Sequence, residues 1–184
     1  MKIKPANPAR VFFALWPNHE ERIAIAAWQQ PLQALCGGRQ TPLLQLHCTL
    51  VFLGEIELQR LEALKLAAAA VKGTEFQMVF NSARYWEKNH ILYASPDLVP
   101  NKLIDMVNDL ESSLQQHQFA VQKQVYEPHI TLLRHAHWSD IALPAMQAVA
   151  WGVCEFSLVN SVNTQSGSSY EVISRFPLSG IKKG

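Results

Sequence analysis

Two phrases in this chain, His47-Cys48-Thr49-Leu50 and His129-Ile130-Thr131-Leu132, repeat the same pattern, and each opens an apolar run. They constrain the fold more than any other feature. A β-strand points alternate side chains to opposite faces, so an H-x-T phrase turns one imidazole and one hydroxyl to a single surface. With 7 His and 5 Thr in 184 residues, about 0.2 H-x-T matches are expected by chance. Two matches, both followed by Leu, therefore point to a duplicated structural unit rather than two unrelated strand starts. The phrases lie close to half a chain length apart, and no shorter period is visible, which predicts a two-fold internal pseudo-repeat.

Two such surfaces facing each other would collect two imidazoles and two hydroxyls around one small volume. Histidine titrates near neutrality, so one ring can accept a proton while the other donates one. The hydroxyls of Thr49 and Thr131 suit two oxygens of a tetrahedral anion. Arg134 follows His129 by five positions, and parity alone places it on the other face. A bulge or strand end at Leu133–Arg134 would turn its guanidinium inward, where it fits a phosphate; the alternative is an exposed strand-end charge. The substrate class suggested is a phosphodiester that needs no metal, with a 2′,3′-cyclic phosphate as the leading case.

The rest of the chain reads as a mixture of strands and helices. Strands are expected at 10–15, 46–53 (ending at Gly54), 76–80, 84–86, 91–94, around the second phrase, and at 155–160 and 170–176. Asn18 with Glu21 signals a helix start, running toward Leu35 with Pro31 ending or kinking it. Further helices are expected over 58–71 and after Pro100, where apolar residues fall at 103, 104, 107, 110 and 114. The segment 165–169 reads as a turn. Strands and helices do not alternate strictly, so the expected class is α+β: a single domain over 1–184 built from two intertwined, pseudo-two-fold lobes of antiparallel sheet with outer helices and a central cleft.

A net charge of +1 argues against wrapping a nucleic-acid backbone but allows grasp of one phosphate or one terminus. The cysteines, Cys36, Cys48 and Cys154, are odd in number and widely spaced, which fits reduced thiols and a cytoplasmic protein. No run is long enough for a membrane span.

On these residues the chain resembles the 2H phosphoesterase superfamily, named for paired H-x-T motifs. Within it, the chain is similar to the bacterial RNA 2′,3′-cyclic phosphodiesterases, formerly called 2′-5′ RNA ligases. The likeness rests on 10–15, 47–54, 128–134 and the overall length. The resemblance implies hydrolysis of RNA 2′,3′-cyclic ends to 2′-phosphates and weak ATP-independent joining of RNA ends such as tRNA halves through a 2′-5′ linkage. It assigns His47 as proton donor and His129 as proton acceptor, an order the residues themselves leave open. Thr49 and Thr131 map onto the motif threonines. Cys48 stands where the family often has a larger apolar residue, and on the pleat it should face away from the cleft.

Other features carry less. His135 and His137 with Cys154 form a weak metal-ligand pattern, and neither a metal nor a cofactor is expected. Trp86, Tyr85 and Tyr126 are candidates for stacking on a base, each against a packing role. Phe12 and Phe13 face opposite ways on one strand, so at most one faces the cleft, and Phe12 joins Arg134 and Tyr126 as the candidates for binding substrate. His19, His90 and His117 read as surface residues. Two alternatives stay open: a phosphodiesterase for small cyclic or 2′-5′-linked nucleotides, and a non-catalytic nucleotide-binding module. The protein is expected to act as a monomer.

Overall fold

A computed structural model describes residues 8–122, 125–140, 142–164 and 167–180. Strand β1 (Ala9–Leu15) is the first apolar run. Helix α1 (His19–Ala26) starts from a capping box: Asn18 Oδ1 accepts from the Glu21 amide and Glu21 Oε2 accepts from the Asn18 amide, both at 2.9 Å. The single helix expected toward Leu35 is broken at Ala27-Trp28, and α2 (Gln29–Cys36) follows. Pro31 sits in the first turn of α2, where backbone N–H groups have no intrahelical acceptor, so the missing donor costs little there.

The loop after α2 contains a two-residue strand, β2 (Arg39–Gln40), that its sequence does not announce. Strand β3 (Cys48–Ile56) carries the first phrase and runs on through Gly54 instead of stopping there. Gly54 adopts φ 76° beside a register shift against β1, a backbone that favours glycine. Helix α3 (Leu61–Ala69) is shorter than expected because a 3-10 turn takes its start. Next come β4 (Phe76–Phe80), β5 (Ser82–Trp86), β6 (Ile91–Ser95) and α4 (Asn101–Gln116), which buries Leu103, Met106, Val107, Leu110 and Leu114. Strand β7 (Ile130–Arg134) carries the second phrase. Strand β8 (Val149–Val153) is absent from the sequence-based expectation, although Val149, Trp151 and Val153 alternate inward in strand fashion. Strands β9 (Glu155–Thr164) and β10 (Gly167–Pro177) absorb most of the expected turn, and its Gln165 and Ser166 lie outside the described residues.

The class is α+β, as expected. The large sheet has the order β10-β9-β1-β3-β7-β6-β5, with β2 also paired to β7; β4 and β8 form a second, two-stranded sheet. Every named pairing is antiparallel. One face of the large sheet is covered. Val11, Phe13 and Leu15 of β1 share a core with Trp28 of the break between α1 and α2, with Leu32, Leu64, Leu103 and Leu110 of the helices and with Phe80 and Trp151 of the small sheet. Full burial of each such side chain is worth about 1.5–3 kcal/mol. The opposite face carries a smaller cluster, Phe12, Ala14 and Val159, with Trp16, Tyr170 and Val172 against it. This second face holds the site. Among the described residues, no helix is long and apolar enough to cross a membrane.

Candidate active site

The two phrases meet at a single residue pair. Strands β3 and β7 touch through Cys48 opposite Ile130, the middle residue of each H-x-T. Both are fully buried on the covered face. In an antiparallel pair this register sets His47 beside Thr131 and Thr49 beside His129. Alternation sends all four of these side chains to the open face, where they line one cavity of about 420 Å³.

A β-bulge follows each phrase immediately. On β3, Thr49 opposes Ala14 and Val51 opposes Phe13, which leaves Leu50 as the extra residue. On β7, Thr131 opposes Tyr93 and Leu133 opposes Leu92, which leaves Leu132 extra. An extra residue reverses the alternation beyond it. Arg134 therefore shares the face of Thr131 despite its sequence parity, and it lines the cavity. The same reversal on β3 brings Phe52 into the cavity wall. Phe52 and Arg134 are structural mates, each five residues after its histidine.

Both imidazoles are held by the backbone. His47 Nδ1 donates to the Gln45 carbonyl at 2.6 Å, and His129 Nδ1 donates to the Glu127 carbonyl at 2.8 Å. A carbonyl only accepts, so each Nδ1 carries a proton and each neutral ring keeps Nε2 as its acceptor. His47 Nε2 lies 3.1 Å from Thr49 Oγ1 and accepts the hydroxyl proton in that tautomer.

The surroundings of the rings differ. His47 stacks on Trp16 at 5.3 Å between ring centroids and contacts Phe12 at 5.0 Å and the edge of Tyr170 at 5.2 Å. Burial pushes its pKa down to about 4; the Gln45 carbonyl opposes this, while His129, Arg134 and Arg22 add to it. His129 meets Trp86 at 4.5 Å and Tyr93 at 5.7 Å. Its pKa is also lowered, mainly by burial, and Arg134 pushes the same way. The Glu127 carbonyl and carboxylate oppose that shift.

Of the residues singled out from sequence, His47, Thr49, His129, Thr131, Arg134 and Phe12 come together in the cavity. Tyr126 does not line it. Its hydroxyl donates to the Thr49 carbonyl at 3.1 Å and lies 3.6 Å from Cys48 Sγ, so it braces the back of β3. The Cys48 thiol faces away from the cavity, as alternation requires, and burial pushes its pKa up to about 11. Trp86 lines the cavity, whereas Tyr85 hydrogen-bonds to the Ala136 carbonyl and to His90. His137 packs against His90 at 5.1 Å. Among the described residues, no three His, Cys, Asp or Glu side chains gather as a metal-ligand set.

Sequence reasoning missed Trp16, Tyr170, Arg22 and Arg39. A signal existed for Trp16, which continues the Phe12–Ala14 parity at the end of β1. Tyr170 reaches the site only through the β9–β10 pairing, and Arg39 only through β2.

Comparison with known proteins gives the chain relatives over nearly its whole length. A family model described as the 2′-5′ RNA ligase superfamily matches residues 16–165. The chain is 28% identical to the RNA 2′,3′-cyclic phosphodiesterase of Escherichia coli K12, over 94% of this chain and 98% of the relative. It is 27% identical to the protein of the same name from Thermus thermophilus, over 93% of this chain and 91% of that one. The crystal structure of E. coli LigT in apo form superposes with a TM-score of 0.85 at 28% identity, covering 95% of this chain and 99% of that one. LigT has also been crystallised with 3′-AMP; that structure gives a TM-score of 0.84, again at 28% identity, over 93% and 98% of the two chains.

Proposed function

This chain belongs to the 2′-5′ RNA ligase superfamily, and on that footing we propose that it hydrolyses RNA 2′,3′-cyclic phosphate ends to 2′-phosphates without a metal. The observation that carries this reading is the convergence of His47, Thr49, His129, Thr131 and Arg134 on one cavity through the Cys48–Ile130 contact. Two relatives named for this activity support it.

In the proposed reaction, His129 Nε2 takes a proton from water as the oxygen attacks phosphorus in line with the ribose 3′-oxygen. The P–O3′ bond breaks, and His47 Nε2 delivers a proton to the departing oxygen. The phosphate stays on the 2′-oxygen, and a free 3′-hydroxyl remains. Thr49, Thr131 and Arg134 hold the non-bridging oxygens and offset the charge that builds on them. In the free protein His47 is neutral at neutral pH, because its pKa is pushed down to about 4. A bound phosphodiester anion favours the imidazolium, so substrate itself loads the acid. Replacing water by the 5′-hydroxyl of a second strand gives a 2′-5′ linkage by the same steps and needs no ATP.

The protein would act as a single-domain monomer of the cytoplasm on RNA ends such as tRNA halves, in keeping with its net charge of +1. Small cyclic or 2′-5′-linked nucleotides form a second substrate class, favoured by a cavity of only about 420 Å³. The test is release of 2′-phosphate from RNA with a 2′,3′-cyclic end in the presence of EDTA. Turnover undiminished by EDTA is the expected outcome, and its loss overturns the metal-free chemistry.

A further inference from the structure

Arg39 has no part in the reaction described above, yet its placement is firmly built. Arg39 and Arg134 are directly opposite one another across β2 and β7, and both line the cavity. Cross-strand partners share a face, and like charges facing each other destabilise a sheet. Among the described residues, neither guanidinium has a carboxylate within 4.0 Å. The charges are therefore left for something that enters from solvent.

The strand that carries Arg39 is only two residues long, but it is tightly fixed. Gln29 Nε2 donates to the carbonyls of Thr41 (2.8 Å) and Leu132 (2.9 Å), and the Thr41 amide donates to Leu132 as well. Gln33 donates to the Gly38 carbonyl and receives a hydrogen bond from Gln40, each at 2.8 Å. Gly38 lies so close to β7 that a Cβ there would sit 2.7 Å from the Arg134 carbonyl oxygen. A network of side-chain amides and backbone groups thus holds one exposed arginine at the cavity wall. Arg134 acts on both imidazoles, and Arg39 stands one strand away from it, on β2.

We propose that Arg39 binds the next phosphate along the strand, on the 5′ side of the nucleoside bearing the cyclic end. This rests on the function proposed above and narrows its substrate class. The site is then built for the end of a chain, or for a 5′-phosphorylated nucleotide, in preference to a bare nucleoside cyclic phosphate. One arginine grips the reacting phosphate and its cross-strand partner grips the neighbour.

The experiment compares kcat/KM for a nucleoside 2′,3′-cyclic phosphate with that for the same compound carrying a 5′-methylphosphate, which has the single charge of an internal linkage. The wild-type protein is expected to favour the second by about tenfold or more, as one charged hydrogen-bonded contact provides. That preference should weaken with salt, its log–log slope being steeper by about 0.7, the value for one phosphate on a single strand. Arg39→Gln should bring the ratio of the two substrates close to one, and Arg39→Lys should restore part of it. A wild-type ratio near one, or an Arg39→Gln variant that slows both substrates equally, overturns the inference and leaves the proposed function standing. Hydrolysis of neither compound contradicts the proposed function itself, and the inference falls with it.

Discussion

The two halves of the site share a motif but not an environment. Each offers an H-x-T phrase, a bulge at the following Leu, and an Nδ1–H anchored to a carbonyl two residues upstream. His47 lies within an aromatic group of Phe12, Trp16 and Tyr170, and its pKa is pushed down to about 4. His129 has the Glu127 carboxylate nearby, which favours its charged form and moderates the same desolvation. Five residues beyond each histidine stand Phe52 in one half and Arg134 in the other. Backbone symmetry brings the groups together, and side-chain asymmetry lets two chemically identical rings behave differently. Two imidazoles with the same pKa would compete for one role; separated environments allow one donor and one acceptor.

Both halves of the site should be needed for turnover. His47→Ala and His129→Ala should each lower kcat by about 10²–10⁴-fold while leaving affinity for a 2′-nucleotide within about tenfold. Steady-state rates and calorimetric binding decide this. Near-normal turnover in either variant would mean that its half does not take part.

Acid sensitivity separates the halves next. An imidazole whose folded-state pKa lies below its unfolded value resists protonation in the native protein. Between pH 6.5 and about 4 the unfolded chain binds the extra proton at His47, so stability falls as pH falls through that window. The loss approaches about 3 kcal/mol at its acid end. Denaturant midpoints measured from pH 7 to pH 4 should drop less steeply for His47→Gln than for wild type. A slope unchanged by that substitution would show that the His47 pKa is not lowered in the folded protein.

The threonines supply a smaller contrast. Thr49→Val removes the hydroxyl that His47 Nε2 accepts from, so it should both slow kcat/KM by about tenfold and move the acid limb of the pH–rate profile. Thr131→Val should slow the reaction to a similar degree and move neither limb. Equal shifts in both variants would erase the distinction.

Much of this is legible in the chain alone. The H-x-T parity, the inward Cys48 and Ile130, and the amphipathic α4 follow from side-chain alternation and helical spacing. What stays hidden depends on the partner strand. Leu50 and Leu132 look like ordinary strand residues, and only the registers with β1 and β6 show them as bulges that admit Phe52 and Arg134. Strand β2 has two polar residues and no periodicity, so its position comes wholly from Gln29, Gln33 and the close approach at Gly38. The break between α1 and α2 misleads for a related reason. Pro31 reads as a terminator, but tertiary packing of Trp28 and Leu32 places it in a first turn. Tyr170 is remote in sequence from His47, and no local signal joins them.

NMR titration of the two histidine ring protons with a 2′-nucleotide asks whether both imidazoles serve one phosphorus. A single bound ligand should shift the His47 and His129 signals together, with one dissociation constant, and should raise both pKa values. A ligand that perturbs one ring and leaves the other at its free-state position would contradict the account.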